Sequence, residues 1–241
     1  MSYKQYISYV RLNEPIDKRS YLNQIPAVKF LIENERLDLS RNITFFVGEN
    51  GMGKSTLLEA IAISFGFNPE GGTKNFTFST NDSHSDLWKS IVLGKPHVPE
   101  DGFFLRAESF YNAISYIDEV KSAHNYGGTS LHKRSHGESF LSLVQNRFGG
   151  NGLYILDEPE AALSPTRLMS LMIEIKRLLE NNSQFIIATH SPILITFPDS
   201  EIFEFSDTGI RNVSYEETEH YQITKRFLEA PDKMLHYLFD D

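Results

Sequence analysis

A glycine-rich run that ends in a lysine and a serine carries the most specific chemistry in the sequence. Residues 48–55 read GENGMGKS and fit the pattern G-x-x-x-x-G-K-[ST] at every fixed position. Glycines allow successive backbone N–H groups to face one anion, and the start of a following helix adds partial positive charge. The run therefore predicts a site for a nucleoside triphosphate. The residues expected to bind it are Asn50, Gly51, Gly53, Lys54, Ser55 and Thr56.

An acidic pair follows a short apolar run later in the chain. Residues 153–156 read LYIL and predict a buried strand, and Asp157 and Glu158 come directly after it. A phosphate site of this kind needs a carboxylate for its metal ion and a base for the attacking water. We therefore expect Asp157 to bind Mg²⁺ together with Ser55, and Glu158 to act as the general base.

The apolar pattern predicts the elements that position these residues. Residues 43–47 predict a buried strand before the glycine-rich run, and residues 54–65 predict a helix after it. The runs 153–156 and 185–188 with a helix over 168–179 between them predict a parallel sheet with a right-handed crossover. Also predicted are strands at 28–32 and 37–39, edge strands at 202–205 and 210–215, and a final helix at 224–241.

The middle of the chain is less regular. Residues 68–102 are polar and rich in turn residues, which predicts a mobile flap. Residues 103–150 predict a small helical subdomain, with a strand at 103–105, a helix over 109–124 and a second helix that opens at Ser135. We expect a single α/β domain over residues 1–241, with a mixed sheet and N-terminal antiparallel strands.

Two further fragments narrow the class of nucleotide-binding protein. Residues 135–138 read SHGE and open a helix before the acidic strand, and residues 189–191 read THS and end the strand at 185–188. The first fragment resembles the signature motif of ABC-type ATPases, matching it at Ser135, Gly137 and Glu138. The second resembles the switch histidine of that family, at His190. With the glycine-rich run and the acidic pair, four motifs stand in the family's order.

The resemblance implies the P-loop NTPase fold of an ABC-type ATPase, with ATP and Mg²⁺ as cofactors. In this family two nucleotide-binding domains sandwich two ATP molecules, and each site combines the phosphate loop of one copy with the signature of the other. It implies that Ser135, Gly137 and Glu138 act in trans, and that Glu158 and His190 are catalytic. The implied partner is a second copy of this chain in a two-fold dimer that forms on ATP.

Departures from the transporter pattern favour a soluble branch of the family. Residues 56–143 contain no glutamine, so the usual glutamine that senses Mg²⁺ and water is missing or replaced, with Glu108 as a candidate. Ser164 stands where transporters usually carry aspartate. The DEPE spelling at 157–160 resembles RecF-like and OLD-like ATPases and the stand-alone AAA-type ATPases of bacteria. We expect neither the coiled coil of SMC-like proteins nor the nuclease domain of OLD-like ones.

Composition excludes several classes of protein. The chain has 241 residues, of which 40% are hydrophobic and 23% charged, the balance of an ordinary globular protein. It contains no cysteine, which excludes disulfides and zinc–thiolate sites. No apolar run approaches the roughly 20 residues of a membrane helix, and the first residues lack the apolar core of a signal peptide. We expect no integral membrane segment and a cytoplasmic location.

The negative charge is concentrated near the end of the chain. The formal net charge is −9, and residues 200–241 contain ten acidic and four basic side chains, which accounts for −6 of it. An acidic balance opposes a nucleic-acid interface over the whole surface but leaves a local one open. This acidic C-terminal segment, residues 200–241, is the region where we expect a basic or protein partner.

Three functions remain open from the sequence. The first is a stand-alone ATPase that dimerises on ATP and couples hydrolysis to a nucleic-acid or protein partner, in DNA repair or in phage defence. The second is the nucleotide-binding subunit of an ABC transporter, which the missing glutamine and the DEPE spelling oppose. The third is a P-loop kinase of a small substrate, which explains Lys54 and Asp157 but leaves Ser135 and His190 without a role.

Overall fold

A computed structural model describes residues 4–69, 71–72, 85–106 and 136–239 of the chain. Its strands belong to two sheets. In chain order they are β1 (Tyr9–Leu12), β2 (Leu37–Asp38), β3 (Ile43–Gly48), β4 (Ile91–Gly94), β5 (Asp101–Arg106), β6 (Gly152–Asp157), β7 (Gln184–Ala188), β8 (Glu201–Ser206) and β9 (Gly209–Val213).

The larger sheet has six strands in the order β5-β6-β7-β3-β8-β9. Strands β5, β6, β7, β3 and β8 are parallel, and β9 pairs antiparallel with β8 at one edge. Every residue of β3, β6 and β7 is buried. Strands of a parallel sheet are covered on both faces, which is why these segments read as continuous apolar runs.

The smaller sheet is antiparallel, with the order β2-β1-β4. A buried glutamine ties the segment before β1 to the larger sheet. The Gln184 side-chain carbonyl accepts from the backbone N–H groups of Tyr6 and Ile7 at 2.7 and 2.8 Å, and its amide donates to the Ile7 carbonyl at 2.8 Å. These bonds satisfy a buried polar side chain and fix the small sheet against β7.

The helices lie on both sides of the larger sheet. They are α1 (Pro26–Glu33), α2 (Lys54–Phe65), α3 (Leu87–Ser90), α4 (His136–Arg147), α5 (Pro165–Glu180), α6 (Glu219–Glu229) and α7 (Pro231–Phe239). One core cluster joins α1, α2 and the small sheet to one face of the larger sheet. A second cluster joins α4 and α5 to the opposite face.

The elements around the phosphate loop and the acidic pair are confirmed. The strands predicted at 43–47, 153–156 and 185–188 are β3, β6 and β7, and the helices predicted at 54–65 and 168–179 are α2 and α5. The mixed α/β fold with N-terminal antiparallel strands is confirmed as well. Strand periodicity and helical spacing identify such elements reliably when both faces or one full stripe are apolar.

The prediction of a strand at 28–32 is wrong, because this segment is helix α1. Pro26 at the first helical position supplies a backbone angle suited to a helix start. Val28 and Leu31 are buried together while Ile32 is exposed, which is the spacing of a helix face. The alternating apolar residues of this short segment fit both periods, and packing against the core decides between them.

Two further predictions near the C-terminus need correction. The strand at 202–205 is not at an edge, because β8 lies between β3 and β9. The single final helix at 224–241 is instead two helices, α6 and α7, with a break at Ala230. Pro231 has no backbone N–H to continue α6, so a new helix starts there.

The irregular segment predicted at 68–102 is wrong for residues 87–94. These form α3 and β4, and Leu87, Ile91 and Leu93 are buried in the core that includes the small sheet. The polar residues around this stretch concealed a strand whose pairing partner, β1, is distant in the sequence. The predicted helix at 109–124, Glu108 and Ser135 lie outside the described residues.

Two isoleucines on α5 test how the second core cluster stabilises the fold. Ile175 is 0% exposed and Ile173 is 69% exposed, two positions apart on the same helix. Ile175→Ala should lower the free energy of unfolding by about 2–5 kcal/mol, because it leaves a cavity against the sheet. Ile173→Ala should change it by less than about 0.5 kcal/mol. Urea denaturation followed by circular dichroism measures both, and equal losses would contradict the assignment of α5 to the core.

Candidate functional site

The candidate site lies where four neighbouring parallel strands end. Strands β5, β6, β7 and β3 are adjacent in that order, and their carboxyl ends carry Arg106, Asp157, Ala188 and Gly48. Loops that leave the carboxyl ends of parallel strands meet at one edge of the sheet, which is the usual place for a ligand in α/β proteins. The predicted phosphate loop, acidic pair and switch histidine all follow these ends.

The phosphate loop depends on backbone angles that only glycine adopts easily. Gly48, Gly51 and Gly53 have φ of +128°, +83° and +93°. A Cβ on Gly53 would lie 2.4 Å from the Ile25 side chain and 2.9 Å from that of Ala27, so the loop also packs tightly against the start of α1. These glycines turn the chain from β3 directly into α2, and the helix N-terminus faces the loop.

Lys54, the first residue of α2, is buried beneath the loop. Its ammonium donates to the carbonyl oxygens of Gly48 and Glu49 at 2.6 and 2.9 Å. Burial lowers the pKa of Lys54, and the nearby carboxylates, with Glu158 and Asp157 foremost, oppose that shift. The lysine is thereby held as a donor at the centre of the loop.

The loop and the acidic strand meet through one hydrogen bond. The Ser55 hydroxyl donates to Asp157 Oδ1 at 2.9 Å, although the two residues are 102 positions apart. A hydroxyl beside a carboxylate is the hard oxygen donor set that Mg²⁺ prefers. The residues present therefore fit the predicted metal ion, which would complete its shell with phosphate oxygens and water. Within the described parts of the chain, no three His, Cys, Asp or Glu residues cluster as a metal site on their own.

Two charged residues that the sequence analysis missed support Asp157. Arg106, the last residue of β5, places Nη1 2.6 Å from Glu59 Oε2 and Nε 3.6 Å from Asp157 Oδ2. Glu59 is a buried carboxylate on α2, and its neighbours in the sequence are apolar. Arg106 thus joins two carboxylates from different elements. The signal in the sequence was a glutamate among apolar residues of the helix after the phosphate loop. Residue spacing could not identify Arg106 as its partner.

Glu158 is held in an unusual backbone conformation. Its φ is +50° and ψ is +53°, the left-handed region that a non-glycine residue seldom adopts. Its N–H donates to the Ala188 carbonyl at 2.9 Å, which ties the turn to β7. The side chain lines a pocket over the phosphate loop, together with Ile25, Asn50, Gly51, Gly53, Lys54, Ser55 and Thr56. All six predicted nucleotide-binding residues therefore line one pocket with the predicted base.

A further residue not predicted for the site, Glu160, orders the segment that carries His190, the predicted switch histidine. Its carboxylate accepts from the backbone N–H of His190 and from the Thr189 hydroxyl, the latter at 2.8 Å. Burial raises the pKa of Glu160, and these hydrogen bonds oppose that shift. Thr189 is fully buried. The second glutamate of the DEPE run therefore fixes the backbone after β7.

The structure brings the two predicted catalytic side chains together. His190 Nε2 lies 3.5 Å from Glu158 Oε1, and Nδ1 of the same ring lies 3.1 Å from Nε2 of His220. Among the described residues, His190 Nε2 is buried and makes no hydrogen bond. Burial lowers the pKa of His190 below its ordinary value, and Lys54 and His220 lower it further. The ring is therefore favoured in its neutral form.

Gly137 and Glu138, the two predicted signature residues within the described ranges, lie elsewhere. Gly137 and Glu138 begin α4, and Arg167 near the start of α5 donates to Glu138 Oε1 at 3.0 Å. A Cβ on Gly137 would lie 2.7 Å from the Arg167 guanidinium and 3.1 Å from the Ala162 carbonyl oxygen. No described residue of α4 lines the phosphate-loop pocket. Arg167 was not anticipated from the sequence.

No helix within the described ranges is long and apolar enough to cross a membrane.

Two family profiles match different parts of the chain. The profile described as "AAA domain" matches residues 21–101, which contain the phosphate loop. The profile described as "AAA domain, putative AbiEii toxin, Type IV TA system" matches residues 130–196, which contain the signature-like fragment, the acidic pair and His190. None of the curated proteins matches the sequence significantly.

Solved structures share the fold. CbiO1 from Clostridium perfringens, part of the ABC transporter complex CbiONQ, aligns over 98% of this chain and 99% of its own, with 19% identity and a TM-score of 0.51. A protein described as a "metal-chelate type ABC transporter" in an inward-facing conformation aligns over 91% of this chain and 88% of its own, with 13% identity and a TM-score of 0.50. The SMC head domain from Thermotoga maritima covers 87% of this chain and 99% of its own, with 17% identity and a TM-score of 0.43.

At these identities the first two structures support the fold alone. The role in transport belongs to those proteins and is not carried over to this chain. Fold, motif order and the two profile matches together support an ABC-type P-loop ATPase. The expectation from the four motifs is confirmed at that level.

The link between Arg106 and Glu59 can be tested through stability. Arg106→Gln should lower the free energy of unfolding by about 2 kcal/mol, because the buried Glu59 carboxylate loses a charge-assisted hydrogen bond. Arg177→Gln is the control, since Arg177 pairs with Glu174 one turn away on α5 and its side chain is 45% exposed, against 25% for Arg106. An exposed ion pair contributes little, so the control should change by less than about 0.5 kcal/mol. Equal effects in chemical denaturation would contradict the proposed support of the site.

Proposed function

We propose that this chain binds Mg²⁺–ATP at the phosphate loop, dimerises around it, and couples hydrolysis to a nucleic-acid or protein partner. The observation that carries the proposal is that Lys54, Ser55 and Glu158 line one pocket at the carboxyl ends of the parallel strands, with Asp157 hydrogen-bonded to Ser55. A triphosphate needs N–H donors, a cation and a metal-binding carboxylate in one place. The loop and the start of α2 supply the N–H donors and the cation, and the end of β6 supplies the carboxylate.

The phosphate-binding step rests on the loop and the start of α2. Backbone N–H groups from Gly51 to Thr56 would hold the phosphate oxygens, with the partial positive charge of the α2 N-terminus behind them. Lys54 would exchange its present carbonyl partners, Gly48 and Glu49, for the terminal phosphates. Ser55 and Asp157 would hold Mg²⁺, which when bound neutralises charge that develops on the phosphate oxygens.

The hydrolytic step is assigned to Glu158 and His190. The carboxylate of Glu158 faces the loop and can accept a proton from a water aligned with the terminal phosphate. His190 Nε2 is buried without a hydrogen-bond partner in the described residues, which suits a group whose partner is the ligand. Glu160 supports the step by fixing the His190 backbone rather than by touching the ligand.

Dimerisation is proposed because Gly137 and Glu138, the signature residues that the structure describes, do not line the phosphate-loop pocket of their own chain. Gly137 and Glu138 pack beside Arg167, at the start of α4, and α4 contributes nothing among its described residues to the phosphate-loop pocket. We infer that the N-terminus of α4, with Ser135, meets the terminal phosphate held by a second copy. Such an arrangement is isologous, so both sites form or neither does.

The charge of the C-terminal segment and one profile match bear on the partner and the biological setting. The acidic C-terminal segment favours a basic or protein partner, and the match to a profile that describes a toxin of a type IV toxin–antitoxin system supports a defence setting over a purely metabolic one. The soluble RecF-like or OLD-like branch remains our assignment. A transporter subunit is the second candidate, because two similar folds belong to ABC transporters; co-purification with a polytopic membrane protein would establish it.

Trapping the ATP-bound state tests the dimer. Glu158→Gln keeps the shape of the side chain but removes the base, so ATP should bind without being hydrolysed and the dimer should accumulate. Size-exclusion chromatography with light scattering, in the presence of ATP and Mg²⁺, measures the mass. We expect about twice the monomer mass for Glu158→Gln.

Two controls make this result specific. Glu33→Gln, an exposed carboxylate on α1, should not accumulate dimer. Adding Lys54→Ala to Glu158→Gln should return the protein to monomer, because the phosphates lose their cation. A Glu158→Gln protein that binds ATP and stays monomeric would show that the two-copy arrangement is wrong.

The ATPase rate with and without DNA tests the partner. If a local surface binds nucleic acid, single- or double-stranded DNA should raise the rate of the native protein several-fold. Lys54→Ala should abolish both basal and stimulated rates and weaken ATP binding at least about tenfold, or about 1.4 kcal/mol. Lys29→Ala, an exposed lysine on α1, is the control and should leave the rates unchanged. A rate indifferent to both DNAs would favour a protein partner.

A further inference from the structure

Helix α6 brings a second histidine into the candidate site. His220 Nε2 lies 3.1 Å from His190 Nδ1, and the two rings meet edge to face with centroids 5.0 Å apart. The two residues are 30 positions apart and belong to different elements. None of the four motifs includes His220, and the site as described so far leaves it without a role.

The position of His220 is fixed by the first turn of α6. Thr218, the residue before the helix, is fully buried, and its hydroxyl donates to the Tyr215 carbonyl at 2.7 Å. The N–H of Glu219 donates to the carboxylate of Glu204 on β8 at 3.1 Å. Tyr221 stacks edge to face on Tyr215, and both rings pack against the second core cluster. His220 is therefore held by the body of the sheet.

The hydrogen bond between the rings leaves two arrangements of protons. In a neutral imidazole one ring nitrogen is a donor and the other an acceptor. If His190 Nδ1 carried the proton, the Nε2 lone pair of the same ring would face the Glu158 carboxylate 3.5 Å away, and two acceptors would oppose each other. If His220 donates instead, His190 carries its proton on Nε2, directed towards the carboxylate and the phosphate-loop side.

The surrounding charges favour a neutral His190, for which the choice of tautomer matters. Burial lowers the pKa of His190, Lys54 and His220 add to that effect, and Glu158 and Glu49 oppose it. A protonated ring would be a donor at both nitrogens, so no partner would be needed to fix its tautomer. A neutral ring presents a donor to the phosphate only if its other nitrogen is engaged as an acceptor.

We propose that His220 is a positioning residue of the ATPase. Its Nε2–H donates a hydrogen bond to His190 Nδ1, which holds the His190 proton on Nε2. From that position the His190 N–H would donate a hydrogen bond to a terminal phosphate. This inference rests on the proposed function for its consequence in catalysis. The tautomer itself is a property of the protein without nucleotide. In this arrangement α6, which belongs to the acidic C-terminal segment, contributes a side chain to the site.

The experiment combines the tautomer with the kinetics. Imidazole ¹⁵N shifts in long-range ¹H–¹⁵N NMR spectra distinguish the protonated from the unprotonated nitrogen, and the His190→Asn variant assigns the His190 ring. In the native protein at about pH 8, above the ordinary histidine pKa, we expect His190 to be protonated on Nε2. In His220→Ala the ring should move to a mixture of tautomers. The kcat should fall about tenfold while KM for ATP changes by less than about twofold.

A conservative variant and a matched control separate positioning from a structural effect. His220→Gln keeps a side-chain N–H donor, so it should restore the Nε2 tautomer and most of the kcat. His236→Ala removes an exposed histidine from α7 and should change neither readout. Thermal unfolding of each variant confirms that the fold is intact.

The outcomes are distinct. A native His190 protonated on Nδ1 would overturn the proposal, whether or not the His220 variants fold. A His220→Ala protein with the native tautomer and native kcat would overturn it as well. If the native protein has the expected tautomer but hydrolyses no ATP, the proposed function fails while the hydrogen bond between the histidines stands.

Discussion

The parallel alignment of β5, β6, β7 and β3 is the constraint on which the site depends. Because β3, β6 and β7 are buried on both faces, a slip of one residue would exchange the side chains that face the two cores, so their register is strongly fixed. Their carboxyl ends therefore stop at one level. That level places the phosphate loop after β3, the acidic pair after β6 and His190, the predicted switch histidine, after β7, all at one edge of the sheet.

At this edge of the sheet, hydrogen-bond donors and a nearby cation, rather than wide separation, offset the repulsion between carboxylates. Asp157 accepts from Ser55 and lies near Arg106, and Glu160 accepts from the Thr189 and His190 segment. Carboxylates can be kept close to a triphosphate only if a cation or an N–H group lies between them, because like charges at short range destabilise the site.

The acidic C-terminal segment has two parts with different physical roles. Its first part completes the sheet as β8 and β9 and, through Glu204 and Thr218, holds α6 against the body of the protein. Its second part, α6 and α7, buries no residue fully and exposes Leu228 and Phe239. Negative charge in this segment thus does not mark a detached tail, because one face of α6 reaches the ring of His190.

The phosphate loop, the acidic pair, the fold class and the strands that carry them could be predicted from the sequence, since they follow from short-range patterns of glycine and apolar residues. The sequence could not distinguish a strand from α1 at 28–32, where a short apolar segment fits both periods. The contributions of Arg106, Glu160 and His220 to the site became evident only from the three-dimensional contacts. These contacts link residues far apart in the chain, and such pairs depend on strand order and helix packing, which no local spacing encodes.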